Sequence, residues 1–294
     1  MRIGIVANPG KVAAVQLARR ALERIGDRAE VVLSEETRAA LGGGAPAAEI
    51  AAIDADALVV IGGDGTILYS LQRTRLPILP VNAGTVGFLA EIEGTSTTAF
   101  DGAIERLLRG SYFLEERMRI ASEMAGRQLP DATNELVVHT SQVTKMRLFE
   151  IQVDRRPVGR LRADGVIVAT ATGSTSYALS ALGPIVDPGI EAIIVAALAP
   201  FHPTQRALVI DPLRSVGVRL VHPDKEGVVV VDGQSEFRIE GGGTVTAYRS
   251  PRNATFVRFG GRFFRQLQGK KILPWAEEIT ADEGIDRADL PPPA

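Results

Sequence analysis

Glycines flank a single carboxylate in Gly62-Gly63-Asp64-Gly65-Thr66, which follows the apolar run 57–61 and precedes the helical spacing of Ile67, Leu68 and Leu71. Glycine at a strand-to-helix junction lets the backbone approach a phosphate, and the helix amino end offers it free N–H groups. A carboxylate amid those glycines repels a phosphate unless it has a second task. Two tasks suit it: binding Mg²⁺, or accepting the proton of an attacking hydroxyl. The same residues also read as a tight turn, because Gly-Asp turns commonly end strands. They match neither the Walker loop nor the G-x-G-x-x-G dinucleotide fingerprint.

A second polar group follows another apolar run. Asp164 precedes 165–170, and behind that run Thr172, Ser174, Thr175, Ser176 and Ser180 place five hydroxyls within nine residues. So many donors suit a ligand with ribose and phosphate groups, and Tyr177 adds an aromatic face for a base. Asn134-Glu135, just ahead of Leu136-Val137-Val138, suits paired ribose hydroxyls or an adenine edge, and equally an ordinary loop.

These residues need elements to hold them. Apolar runs at 3–7, 29–33, 57–61 and 77–81 alternate with helical spacing at 12–25 and 67–71, which argues for an open, mostly parallel α/β sheet with ligands at the carboxyl ends of its strands. From about Tyr112 the pattern changes to short strands at 118–124, 135–140, 147–153, 165–170, 208–210, 216–221, 228–231, 244–248 and 255–259. Turns such as Asp154-Arg155-Arg156-Pro157 separate many of them, as in a β-sandwich. The expected organisation is an α/β nucleotide-binding domain over 1–111, an all-β domain over 112–261, a last helix within 262–280 packing back on the first domain, and a disordered tail over 281–294.

Composition narrows the function classes. Lys and Arg number 33 against 35 Asp and Glu, so the net charge of −2 lacks the basic surplus of a nucleic-acid binder. The absence of Cys excludes disulfides, iron–sulfur clusters, thiolate zinc and a Cys nucleophile. His139, His202 and His222 are too far apart for a helical metal motif. The longest apolar run, 192–200, falls short of the roughly 18–20 residues that span a bilayer, and the opening run is too short for a signal peptide. The chain reads as soluble and cytoplasmic.

Taken together, Gly62 to Thr66, Asn134-Glu135, Asp164-Gly165, the 172–180 segment, Gly183-Pro184-Ile185-Val186 and Val231-Asp232-Gly233-Gln234 resemble the NAD kinase family, in the family's order and over roughly residues 2–275. The resemblance implies an α/β domain meeting a β-rich one with NAD between them. It implies transfer of the γ-phosphoryl group of ATP, or of polyphosphate, to the 2′-hydroxyl of the adenosine ribose. Asp64 is then the proton acceptor, Gly62, Gly63, Gly65 and Thr66 form the phosphate loop, and Gly65 also helps hold the dinucleotide. Asn134 and Glu135 contact ribose and adenine. Asp164 faces the nicotinamide end, with Arg162 near a phosphate or ribose. Thr172, Thr175, Ser176, Tyr177, Ala178, Leu179 and Ser180 line the NAD pocket, partly from a neighbouring subunit of a dimer or tetramer. Lys145 and Gln234 complete the set. Mg²⁺ or another divalent cation is expected to arrive with the nucleotide, because no metal cage of protein groups alone is visible.

Tyr69 stands where the family sometimes has a basic residue or His, which leaves one phosphate contact unassigned. Two other readings compete. A lipid kinase of the diacylglycerol or sphingoid type shares the Gly-Gly-Asp-Gly-Thr turn but needs a membrane anchor, and no basic amphipathic segment supplies one. A dinucleotide-sensing module has no use for a carboxylate beside phosphates.

Overall fold

Alternation along the strands sorts the apolar side chains into separate cores. The computed structural model describes residues 1–84, 87–142, 144–261, 263–270 and 272, of which Met1–Phe259 form one compact unit. Ile3 and Ile5 of strand Arg2–Ala7, with Val59 and Ile61 of strand Ala57–Gly62, face helices Val12–Ile25 and Thr97–Leu108. Val6, Leu58 and Val60 face the other way, onto Ile67, Leu68 and Leu71 of helix Asp64–Leu71. A strand covered on both faces reads as an unbroken apolar run, as 57–61 does.

These strands belong to an eight-stranded sheet. Its order is Ala47–Ala48, Glu30–Ser34, Arg2–Ala7, Ala57–Gly62, Ile78–Asn82, Ala254–Arg258, Phe113–Arg117, with Ile92–Glu93 beside Ile78–Asn82. Every pair is parallel except the one between Ala254–Arg258 and Phe113–Arg117. The expected open sheet is therefore present. Its strand order reverses between Arg2–Ala7 and Ala57–Gly62, and ligands of open α/β sheets bind at such a reversal, beyond the strands' carboxyl ends.

Two six-stranded antiparallel sheets follow. One runs Leu208–Ile210, Ile193–Leu198, Gly165–Thr170, Glu135–Thr140, Gly227–Val231, Ser235–Ile239. The other runs Arg156–Ala163, Arg147–Val153, Val216–Leu220, Thr244–Arg249, Ile120–Met124, Arg127–Gln128. Leu136, Val138, Val166 and Val168 of the first share a core with Phe149, Ile151, Val218 and Leu220 of the second, which makes the expected sandwich. The alternate residues Val137, Ile167 and Ala169 turn outward and are covered by Ala178.

The sheets depart from the sequence grouping in two places. Phe113–Arg117 and Ala254–Arg258, assigned by position to the β-rich 112–261 segment, belong to the first sheet. Local pattern specifies a strand but not a partner that lies far along the chain. The turn expected at 154–157 is shorter: Asp154 and Arg155 alone form it, at φ 51° and 63°, and Arg156–Ala163 continues as an edge strand. Its exposed face carries no apolar alternation to reveal it.

Phe263–Gly269 is a helix in a second unit, Gly260–Ala294. Residues 262, 271 and 273–294, which hold the rest of the segment expected to pack back and the whole acidic tail, lie outside the described residues. Among the described residues no helix is long and apolar enough to cross a membrane.

Phe149 is fully buried in the sandwich core. Truncating it (Phe149→Ala) should cost about 3–5 kcal/mol, read as a lower urea midpoint at unchanged slope. Val158→Thr, at an exposed position of the edge strand, should stay within about 0.5 kcal/mol of the parent. Equal effects of the two would contradict the sandwich packing.

Candidate active site

Only Gly63 separates strand Ala57–Gly62 from helix Asp64–Leu71, and its extended backbone caps the helix. The N–H groups of Thr66 and Ile67 donate to its carbonyl at 2.9 and 3.2 Å. A Cβ on Gly62 would overlap the Thr66 side chain, so this junction requires glycine. Asn8, just past strand Arg2–Ala7, braces the junction. Its Nδ2 donates to Thr66 Oγ1 at 3.2 Å, and its Oδ1 accepts the Gly10 N–H at 2.9 Å. A cavity of about 490 Å³ opens here, lined in part by Asn8, Lys11, Gly63, Gly65, Thr66 and Gln234. It sits at the strand-order reversal, and its volume falls in the usual range for small-molecule sites. Gln234 reaches it from the sandwich, with Nε2 3.8 Å from where a Cβ on Gly65 would stand.

Asp64 is not among the residues lining that cavity. Its half-buried carboxylate accepts the N–H of Phe88 at 2.9 Å and of Leu89 at 3.4 Å. Gly87 lies so close that a Cβ there would overlap the carboxylate. The loop is held from behind by Arg258, a buried residue at the end of Ala254–Arg258. It donates to the Leu89 carbonyl at 3.0 Å and pairs with Glu115 at 2.7 Å and Glu91 at 3.4 Å.

A second polar centre lies at the start of strand Glu135–Thr140. Asp232 Oδ2 accepts the N–H of Thr133 at 2.8 Å, and its Oδ1 accepts those of Asn134 at 2.8 Å and Glu135 at 3.1 Å. Burial raises the Asp232 carboxyl despite these three donors. Glu135 is pushed up to about 7, first by burial and then by the charge of Asp232, against donation from the Ser176 hydroxyl and the Tyr177 N–H. Asn134 Oδ1 and Glu135 Oε2 are buried and have no hydrogen-bond partner among the described residues. In a folded protein such acceptors take a donor from water or from a ligand.

The 172–180 hydroxyls are used differently from the sequence expectation. Thr175 Oγ1 donates to the Thr172 carbonyl at 3.3 Å and closes its own turn, whereas Ser174 Oγ donates to the Val186 carbonyl at 3.2 Å and ties the turn to the 183–186 segment. Ser176 Oγ does reach the site, donating to Glu135 Oε1 at 3.2 Å. Gly173 passes so close to the Asn134 carbonyl that a Cβ would overlap it. Ala178 packs outward-facing strand residues, and Tyr177 is exposed. Leu179 and Ser180 close the short helix Tyr177–Ser180.

Arg162, Asp164 and Lys145 lie elsewhere. Asp164 accepts the Thr140 N–H at 2.8 Å, at the opposite end of the strand pair from Asn134 and Glu135. Five residues of strand separate the two ends, roughly 17 Å. Arg162 and Lys145 are exposed near that far end. Two residues of evident importance escaped assignment from sequence. Asp232 was legible only as part of the motif around Gln234. Lys11 carried a faint signal, its place just past the first strand's turn.

A sequence model of the ATP-NAD kinase N-terminal domain matches residues 45–112, and one of the ATP-NAD kinase C-terminal domain matches residues 133–259. The NAD kinase of Thermoplasma volcanium is 35% identical over 276 residues, covering 92% of this chain and 98% of its own length. That of Methanothermobacter thermautotrophicus is 39% identical over 280 residues, with 92% and 96% covered. An NAD kinase from Archaeoglobus fulgidus, solved in complex with ATP, superposes with a TM-score of 0.74 at 30% identity, over 95% of this chain and all of that one. Yeast NADH kinase complexed with NADH shares the fold, with a TM-score of 0.82 at 20% identity, over 91% and 86% of the two chains. These relatives match both halves of the sequence and are NAD kinases, not lipid kinases: the chain belongs to the NAD kinase family.

Proposed function

We propose that the protein phosphorylates the 2′-hydroxyl of the adenosine ribose of NAD, with ATP or polyphosphate as donor, and yields NADP. The observation that carries this reading is the pair of buried acceptors without donors, Asn134 Oδ1 and Glu135 Oε2. A ribose hydroxyl and an adenine amino group are donors of the kind they lack. Ser176 holds Glu135 in place for that contact, and Thr172, Thr175, Tyr177, Ala178, Leu179 and Ser180 shape the wall behind it.

In the proposed reaction the 2′-oxygen attacks the donor's terminal phosphorus and the bridging P–O bond breaks. Its electron pair leaves with ADP or the shortened polyphosphate, and the hydroxyl proton passes to Asp64. The Phe88 and Leu89 N–H groups fix the carboxylate's direction and leave lone pairs on both oxygens for that proton. Gly62, Gly63, Gly65 and Thr66 admit the phosphates, and Gln234 closes the cavity from the sandwich side. Arg162, Asp164 and Lys145 serve the nicotinamide end of an extended dinucleotide, or the site of a second copy. Exposed Val158, Leu208 and Val209 on edge strands suit a homodimer or homotetramer. A cytoplasmic location is part of the same proposal.

Among the described residues no three His, Asp or Glu groups lie close enough to hold a metal ion. A divalent cation, Mg²⁺ above all, is therefore proposed to enter as part of the donor, neutralising phosphate charge. Excess chelator should abolish NADP formation and added Mg²⁺ should restore it; turnover that persists in chelator overturns this.

If Asp64 accepts the proton, Asp64→Asn should lower kcat by about 10²–10⁴-fold. The Michaelis constant for NAD should shift far less, and only the weaker backbone bond, to Leu89, should be lost. A folded variant within tenfold of the parent kcat contradicts the assignment.

Glu135 makes affinity depend on pH. Its folded pKa of about 7 exceeds the ordinary value of 4.5, so its contribution to stability is full below about 4.5 and is lost as pH rises through about 7. Ribose donors favour the ionised form, so NAD binding should tighten from pH 6 to 8 and release a proton below pH 7. Titration calorimetry in buffers of different ionisation enthalpy reads both. Affinity that is flat or weakens with pH contradicts this role, and Glu135→Gln should remove the dependence.

A further inference from the structure

Lys11 ends the Asn8-Pro9-Gly10 turn and immediately precedes helix Val12–Ile25. Its ammonium lies 3.3 Å from the point where a Cβ on Gly63 would stand and 3.0 Å from that point on Gly84. Gly63 and Gly84 follow the neighbouring parallel strands Ala57–Gly62 and Ile78–Asn82. The charge therefore sits across two strand ends, in space that a side chain on either residue would crowd.

Lys11 is half-buried, and among the described residues its ammonium has no hydrogen bond or ion pair. It is the only cation among the described residues lining the cavity at the strand-order reversal. The Glu36 carboxylate lines the same cavity but forms no ion pair with Lys11, and an ammonium drawn partly from water without a paired counter-charge is unfavourable. An anion in the cavity removes that cost.

We propose that Lys11 binds the phosphate chain of the phosphoryl donor and offsets the charge that grows on the leaving oxygen as the bridging P–O bond breaks. This rests on the reading of the chain as a kinase that uses ATP or polyphosphate. An ammonium is a compact point charge without arginine's rigid fork. It therefore recognises the phosphate chain and not the nucleoside, and its ligand class is a linear triphosphate with or without adenosine. The assignment puts a cation in the same cavity that Tyr69 lines.

The test uses inorganic triphosphate, titrated calorimetrically into the full-length protein without NAD, alongside NADP-forming kinetics. Lys11→Met should weaken triphosphate binding and raise the ATP Michaelis constant, each by about 10–100-fold. The NAD constant should stay within about twofold, and Lys11→Arg should recover part of the loss. Gly84→Ala offers a second route, because a Cβ there shifts the ammonium slightly while leaving its chemistry intact, and it should raise the ATP constant by less than Lys11→Met does. Unchanged triphosphate affinity and ATP constant in folded Lys11→Met overturn the proposal. So does a lower melting temperature with those two values preserved, the mark of a structural lysine. If the parent binds triphosphate through Lys11 but forms no NADP, the proposed reaction fails while the phosphate site stands.

Discussion

Asp232 is a carboxylate buried inside a hairpin turn, and both parts of the candidate site depend on it. In Val231-Asp232-Gly233-Gln234 the backbone is left-handed at Asp232 and Gly233, with φ 51° and 64°, and the Gln234 N–H closes onto the Val231 carbonyl at 2.9 Å. That is a type I′ turn, for which Asp-Gly is a favoured pair because both positions need positive φ. The turn sends the Asp232 side chain back to collect three consecutive N–H groups at 133–135, and it sends Gln234 forward to Gly65. One turn thus relates the acceptor pair at Asn134-Glu135 to the strand-end cavity. Without its carboxylate, three buried N–H groups would lose their partner, at about 1–3 kcal/mol each.

The same carboxylate sets the electrostatics. Asp232 lies near enough to Glu135 to add to the effect of burial, and together they raise the Glu135 carboxyl to about 7. A site built this way is short of donors before substrate arrives, which suits ribose hydroxyls. The cavity at the strand ends has the opposite character, with glycine backbone and the Lys11 ammonium. Acceptor-rich side chains on one side and, on the other, a cation with no partner among the described residues suit a reaction that joins a sugar hydroxyl to a phosphate.

How far sequence reaches can be read from particular elements. Strands 135–140, 147–153, 165–170 and 208–210 have the expected bounds, because each carries a strong apolar pattern. Arg156–Ala163 was hidden because an exposed edge strand has no apolar rhythm. The sheet membership of Phe113–Arg117 and Ala254–Arg258 was hidden because pairing is a long-range choice. At the site, the motif glycines were legible, and their close approaches to Thr66 and Asn134 explain two of them. Among the 172–180 hydroxyls, Ser174 and Thr175 also hold the local backbone, through Val186 and Thr172, a role their spacing did not reveal. Lys11 could not be singled out because its meaning lies in two glycines distant in sequence.

The return of the last strand to the first sheet explains how two separate cores hold one site in register. The chain leaves the first sheet after Arg117 and re-enters it at Ala254. The two crossings run side by side: the Ser250 N–H donates to the Arg119 carbonyl at 2.8 Å, and the Ser250 hydroxyl to Asp131 at 2.8 Å. Arg252 pairs with Asp131 at 2.9 Å, and Arg119 donates to the Asp131 carbonyl at 2.6 Å. A single crossing would let the sandwich swivel, whereas two crossings tied through a buried carboxylate restrict it. The re-entering strand ends in Arg258, whose hold on Leu89 supports the loop that orients Asp64. The segment that limits movement between sheet and sandwich therefore also steadies the proposed base, and Gln234 meets Gly65 across a distance fixed at both ends.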